Sequence, residues 1–135
     1  NYLEKNTGII TKNYGVGIVV GEETRAAAPE FAYIELDLIA VKGKSEAVQI
    51  FGLLGDNDLA QSDAFKLQEK KHREMVAAYR NQQWSEAKDL ILECRSLKQD
   101  DTLTVLYDIY EERIEVYEES PPNLDWDGVF VAVSK

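Results

Sequence analysis

The sequence predicts an α+β protein in which a small antiparallel sheet is followed by a helical hairpin, an extra helix and a last strand. Three observations support this class. Residues 31–54 alternate between apolar and polar side chains, which is the period of strands. After Asp56 the apolar residues instead recur at three- and four-residue spacing, which is typical of helices. The last run, Gly128 to Val133, is again of strand type and could pair with an edge of the sheet.

The N-terminal region has a mixed pattern. Residues 1–14 predict a helix that ends at Gly15, and Val16 to Val20 predicts a short strand. Glu22 to Ala28 predicts a brief helix, because acidic residues favour the N-terminal end of the helix dipole and the following proline ends it.

The hairpin is the most regular part of the sequence. It runs from Phe31 to Leu54, and a short polar segment with a central glycine, Lys42-Gly43-Lys44-Ser45, separates its arms. Its first arm places Ile34, Leu36 and Leu38 on one face and Tyr33, Glu35 and Asp37 on the other. Its second arm places Val48 and Ile50 on one face, with Ala47, Gln49, Phe51 and Leu53 on the other.

Three helices follow a turn cluster at residues 55–58, which we take as the division between a sheet lobe (residues 1–55) and a helical extension (residues 56–135). The first begins at Ser62 or Asp63 and reaches about Asn81. The others are Ser85 to Leu97 and Asp101 to Glu119. The spacing of Trp84, Ala87, Ile91 and Cys94 resembles the second helix of a tetratricopeptide unit. We interpret this single unit as a cap, because an array needs about three units to bury a continuous core.

The composition is that of an ordinary folded domain, with 44% hydrophobic and 30% charged residues. A formal net charge of −10 argues against binding to nucleic acid or to anionic membranes, which requires clustered Lys and Arg side chains. The single cysteine excludes an intrachain disulfide, and with one histidine it leaves no cluster for zinc. We expect a cytoplasmic location, either for a soluble protein or for the cytoplasmic part of a membrane-anchored one.

Several motifs occur in an order that resembles the C-terminal end of the class III nucleotide cyclase homology domain, in its bacterial adenylate cyclase branch. They are V-x-G-E-E-T-R at Val19 to Arg25 and V-K-G-K-S-E-A-V at Val41 to Val48, preceded by residues 11–16. The tail from Ser120 to Phe130 resembles the extension that some of these cyclases carry. The resemblance implies that residues 1–55 are part of a ferredoxin-like cyclase lobe. Because the chain also begins without Met, in a helical pattern, we expect it to be part of a longer protein.

The resemblance also implies which chemistry this chain lacks. In the family, two metal-binding carboxylates and an adenine-selecting Lys and Asp lie upstream of the hairpin. An Asn-x-x-x-Arg pair would fall at the N-terminus, either at Tyr2 and Asn6 or, one residue out of register, at Asn1 and Lys5. Lys42 matches the family's phosphate-contacting residue, and Lys44 is the secondary candidate. A polar, solvated hairpin tip is the alternative interpretation of both lysines. ATP, with Mg²⁺ or Mn²⁺, is expected only in the intact enzyme.

Other polar residues have simpler interpretations. His72 and Cys94 each lie on the apolar side of a predicted helix, so we interpret both as packed core residues. The run of carboxylates from Glu111 to Glu119 lacks the ligand pattern of a calcium loop and predicts a solvated face.

The leading hypothesis is therefore the C-terminal part of an adenylate cyclase, inactive by itself. The sheet of such a part is missing its neighbours, so we expect self-association. The rival is a noncatalytic interaction or regulatory module derived from a cyclase.

Overall fold

The computed structural model describes residues 13–41, 46–97 and 101–132, within which the chain forms four strands and five helices. The strands are β1 (Val19–Gly21), β2 (Ala32–Val41), β3 (Val48–Gly55) and β4 (Phe130–Ala132). The helices are α1 (Glu22–Ala27), α2 (Asn57–Gln61), α3 (Asp63–Arg80), α4 (Trp84–Leu97) and α5 (Thr104–Glu119). The predicted α+β class is confirmed.

The strands form one mixed sheet in the order β1-β3-β2-β4. β3 pairs antiparallel with both β1 and β2, as predicted for the hairpin. β4 takes the predicted edge position but runs parallel to β2, with Phe130 opposite Ile39. The prediction of a wholly antiparallel sheet is therefore wrong. Parallel strands need a long crossover rather than a tight turn, and helices α2 to α5 provide one before the chain reaches β4.

A β-bulge in β2 changes the faces predicted for this strand. The register skips Leu36, because its neighbours Glu35 and Asp37 pair with consecutive residues of β3. Asp37, predicted to share a face with Glu35, is instead fully buried, and Leu38 is only half-buried. Side chains alternate between the two faces, so one extra residue reverses the pattern that follows it.

Helices α3, α4 and α5 pack as a layer on one face of the sheet and form one core with it. The predicted apolar side of α3 is buried, and the Ser62 hydroxyl accepts a hydrogen bond from the Phe65 amide as the predicted cap. In α4, Ala87, Ile91 and Cys94 are buried, and Trp84 at the start of the helix is half-buried. In α5, Leu106, Tyr110 and Ile114 are buried. None of the described helices is long and apolar enough to cross a membrane.

Residues 120–129, the C-terminal strap, lead from α5 to β4. Gln82 donates a hydrogen bond to the Asn123 carbonyl at 2.7 Å, and the ring of Trp126 lies edge-on to that of Tyr79. Gly128 has a φ of +84°, and a Cβ there would lie 2.6 Å from Cγ of Arg80. The strap therefore approaches α3 so closely that only glycine fits at this position.

Residues 1–12 of the predicted N-terminal helix lie outside the described residues. Asn13 and Tyr14 are helical, and Gly15 has a φ of +74°, the left-handed conformation expected of a residue that ends a helix.

Candidate functional site

The two lysines that sequence analysis places at the hairpin tip, Lys42 and Lys44, lie outside the described residues. The two N-terminal pairs also lie outside the described residues, namely Asn1 with Lys5 and Tyr2 with Asn6. What the structure describes is the stem of the hairpin.

The stem is paired up to the last residue of β2. Ile39 lies between Val48 of β3 and Phe130 of β4, and Val41 lies opposite Ala132. Val41 directly precedes Lys42 in the sequence. The short strand β4 therefore reinforces the part of β2 that leads into the predicted tip.

Asp37 is buried just beyond the bulge, where Arg113 of α5 binds it through two hydrogen bonds. Arg113 Nη1 donates to Oδ1 at 3.0 Å, and Nη2 donates to Oδ2 at 2.6 Å. The hydroxyl of Tyr14 donates to Oδ2 at 2.5 Å, and the amide of Leu38 donates to Oδ1 at 2.9 Å. Both oxygens of this buried carboxylate are therefore well supplied with donors.

Arg113 is enclosed by aromatic rings. The centre of its guanidinium lies 3.6 Å from the centroid of the Phe130 ring and 5.5 Å from that of Tyr110, and Nη1 donates weakly to the hydroxyl of Tyr79 at 3.4 Å. Burial by itself lowers the pKa of Arg113, but the hydrogen bonds and charge of Asp37 outweigh it and raise that pKa above its usual value. Burial, followed by the charge of Asp37, raises the pKa of Tyr14. The site therefore holds one charged pair surrounded by neutral phenols.

The backbone at the bulge is bound by side chains from the helices. The Leu36 carbonyl accepts a hydrogen bond from the hydroxyl of Tyr110 at 2.7 Å, and Nε2 of His72 lies 2.6 Å from the Glu35 carbonyl. Because a carbonyl can only accept, Nε2 carries the proton and Nδ1 accepts from the hydroxyl of Tyr107 at 3.1 Å. The irregular segment of β2 is thus anchored from both α3 and α5.

His72 and Cys94 are core residues, as predicted, and both are fully buried. Burial lowers the pKa of His72 to about 4, so the imidazole is neutral at neutral pH. Burial likewise raises the pKa of the Cys94 thiol to about 11.

An open cavity of about 550 Å³ is lined by residues of β2 and β3, of α1, of the end of α2 and of α3 from Phe65 to Arg73. The guanidinium of Arg25 lies 4.9 Å above the ring of Phe51 and binds Glu22. Glu35 is bound by Arg80 at 2.8 Å and by Gln49 at 2.9 Å. Among the described residues, those that line the cavity include no His, Cys, Ser or Thr.

The described residues do not provide a metal site. Within ranges 13–41, 46–97 and 101–132, no three His, Cys, Asp or Glu side chains are grouped so that they could hold an ion. Asp37 does not fit Mg²⁺ or Mn²⁺, because its oxygens already bind Arg113 and Tyr14. Of the carboxylates in the predicted solvated face of α5, Glu112, Glu115, Glu118 and Glu119 are exposed, whereas Glu111 is half-buried and lies 3.4 Å from Arg95.

Comparisons with models of protein families, with curated proteins and with solved structures found no match for this chain. The fold and the site define an α+β protein in which a helical layer holds a β-hairpin through a buried ion pair.

Sequence reasoning missed that pair. One signal was present in the helix, since Leu106, Tyr110, Arg113 and Tyr117 follow each other at helical spacing and therefore place Arg113 on the apolar side of α5. A charged residue in such a position needs a buried partner.

Proposed function

We propose that this chain is the C-terminal part of a class III adenylate cyclase, which converts ATP to cyclic AMP and pyrophosphate in signal transduction. The proposal joins the sequence resemblance to one structural observation, the β2–β3 hairpin. Its strands pair antiparallel from Ala32 and Gly55 to Ile39 and Val48, on either side of the segment Lys42–Ser45. A paired stem of this kind is suited to present a lysine to the phosphates of a nucleotide.

In this proposal Lys42 contacts the nucleotide phosphates and Lys44 assists it. A lysine ammonium is a compact charge on a flexible stem, so it can follow phosphate oxygens as negative charge develops during cyclisation. ATP and the Mg²⁺ or Mn²⁺ ions bind only in the intact enzyme, whose metal-binding carboxylates lie upstream of this chain. The isolated chain is therefore inactive.

The architecture has two finer parts under this proposal. Residues 1–55 belong to an incomplete ferredoxin-like lobe, and within the extension, residues 56–135, helices α3 and α4 form a single tetratricopeptide-like hairpin that acts as a cap. The second part is supported by the contact of Trp84 with Tyr79, whose ring centroids are 6.0 Å apart, and by the complete burial of Ala87 and Ile91. We further propose a cytoplasmic location, no contact with nucleic acid or membrane by this segment, and association with a second copy.

The test uses the intact enzyme of this proposal, the expected longer protein, and measures cyclic AMP formed from ATP with Mn²⁺. Lys42→Ala is expected to lower kcat about 100-fold, the effect of removing one group that stabilises the transition-state charge. Lys44→Ala is expected to have a smaller effect. The matched control is Lys70→Ala, which removes an exposed lysine of α3 and should leave the rate unchanged.

Two results would contradict the proposal. One is a Lys42→Ala enzyme as fast as the unmodified one. The other is a longer protein without cyclase activity, which would favour the rival, a noncatalytic interaction or regulatory module. The isolated chain is measured in parallel with ATP and with Mg²⁺ or Mn²⁺, and formation of cyclic AMP by it would contradict the predicted lack of activity.

A further inference from the structure

We propose that Arg113 is a positioning residue that fixes the outer half of the β2–β3 hairpin, residues 38–41 and 46–50, relative to the helical layer. Its guanidinium is where the sheet, the helices and the C-terminal strand meet. It binds Asp37 of β2, stacks on Phe130 of β4 and projects from α5.

The contact with Asp37 fixes direction as well as distance. A bidentate pair between a planar guanidinium and a carboxylate holds the two groups in one plane, which a single hydrogen bond or an apolar contact does not do. Asp37 is the first residue after the bulge, at the point where β2 leaves the surface bound by Tyr110 and His72. The direction of the strand beyond this point is therefore set by the orientation of Arg113.

The contact with Phe130 adds a second constraint. Phe130 covers Arg113 at 3.6 Å and also lies opposite Ile39 in the sheet. The residues that follow it pair with Ala40 and Val41, the last residues of β2. Arg113 thus acts on the hairpin stem from two sides, through Asp37 within β2 and through Phe130 beside it.

A role in stability alone explains the pair less well. A buried ion pair loses so much hydration that well-packed apolar residues of similar volume often serve stability equally or better. What such residues cannot reproduce is the fixed geometry of a network whose donors and acceptors are matched. This network joins residues that lie 76 positions apart, from the sheet and from the last helix.

The inference rests on the proposed function in one respect only. Val41 is followed by Lys42, so a fixed stem matters for catalysis if Lys42 contacts the nucleotide. The positioning itself concerns described residues and can be measured without catalysis.

The first experiment measures a distance in the purified chain. Spin labels are attached at Glu46→Cys, beside the start of β3, and at Leu92→Cys on the exposed side of α4, and their distance distribution is recorded by pulsed electron resonance. Loss of the matched network by Arg113→Met is expected to make that distribution about twice as wide. Arg113→Lys keeps the charge but not the bidentate geometry. Its distance distribution should have a width between those of the unmodified chain and of Arg113→Met.

Two further variants make this result decisive. Phe130→Ala removes the stacked ring from a half-buried position and should broaden the distribution even if Arg113→Met does not fold. The control Arg95→Met removes surface ion pairs to Asp108 and Glu111 and should leave the distance distribution as narrow as in the unmodified chain. Folded Phe130→Ala and Arg113→Met chains with an unchanged distribution would overturn the proposal. If Arg113→Met does not fold, an unchanged distance distribution in Phe130→Ala would by itself overturn the proposal.

The second experiment measures coupling to Lys42 in the longer protein. Arg113→Met is expected to lower kcat/KM about tenfold, and Arg113→Met with Lys42→Ala should be no slower than Lys42→Ala alone. If the losses in kcat/KM of the two single variants multiply in the double variant, Arg113 does not act through Lys42. If the longer protein has no cyclase activity, the proposed function fails, and the distance measurement still decides whether Arg113 positions the stem.

Discussion

Asp37 and Arg113 form a bidentate ion pair across 76 residues of sequence and thereby join the hairpin to the last helix. Both side chains are almost excluded from solvent, with exposed fractions of 1% and 9%. The pair therefore differs from the surface ion pairs of this chain, such as Arg95 with Asp108, whose members remain in contact with water. This difference in burial leads to the first prediction.

Asp37→Ala is expected to destabilise the chain by about 3–5 kcal/mol, because it leaves the guanidinium of Arg113 buried without its counter-ion. The control Asp108→Ala breaks an exposed pair with Arg95 and should change the free energy of unfolding by less than about 1 kcal/mol. Urea unfolding of both variants measures the difference. Equal losses in the two variants would show that the pair between Asp37 and Arg113 contributes no more than a surface contact.

The second prediction concerns acid sensitivity and His72. Its folded-state pKa of about 4 lies below the ordinary value of 6.5, so between these values the unfolded chain binds a proton that the folded chain does not. Stability is therefore complete above pH 6.5 and falls as the pH decreases towards 4, by about 2 kcal/mol between pH 7 and pH 5. Within the fold, burial lowers this pKa most, while the Glu35 carbonyl and carboxylate raise it and the charge of Arg80 lowers it.

His72→Phe isolates this effect, since the ring cannot bind a proton. The free energy of unfolding is measured for both chains at pH 5 and pH 7, and the difference between the two pH values should be smaller by about 2 kcal/mol in the variant. An identical pH dependence in both chains would contradict a buried, neutral imidazole.

The helices and the hairpin could be predicted because their signals are local. Apolar residues at helical spacing located α3, α4 and α5, and the buried residues Met75, Ile91 and Ile114 lie on the sides that the pattern indicated. The strand-type run near the C-terminus indicated an edge strand, which β4 is.

The bulge at Leu36 could not be predicted, because its causes are distant in sequence. Alternation in β2 looks regular, and it is the bonds from His72 and Tyr110 to the strand's carbonyls, with Arg113 bound to Asp37, that support the extra residue. The parallel direction of β4 likewise depends on the crossover made by the helices, which no strand pattern contains.

The third prediction concerns the thiol of Cys94. Burial raises its pKa to about 11, and the thiolate is the form that reacts. At neutral pH the folded chain should therefore react with an aromatic disulfide reagent about 100-fold more slowly than the chain in concentrated denaturant. Absorbance of the released thiolate measures both rates, and similar rates would mean that α4 opens readily.

The fourth prediction is self-association through the sheet lobe. Strand β1 forms one edge of the described sheet, and exposed apolar side chains lie close to that edge. Ile18 is 52% exposed there, and it lines a shallow hollow of about 300 Å³ together with Phe31 and Leu53. Repulsion between acidic chains is screened within about 8 Å at physiological salt, whereas burial of apolar surface is not weakened in this way.

Sedimentation at rising concentration in moderate salt is therefore expected to show a dimer or a larger species. Ile18→Lys places a charge beside the open edge of β1 and should weaken association about tenfold, equivalent to about 1.4 kcal/mol. Leu124→Lys is the matched control, because Leu124 is fully exposed on the C-terminal strap and lies away from that edge. Its association should equal that of the unmodified chain. A chain that is monomeric at every concentration would contradict self-association, and equal weakening by both lysines would show that net charge, rather than the edge of β1, controls it.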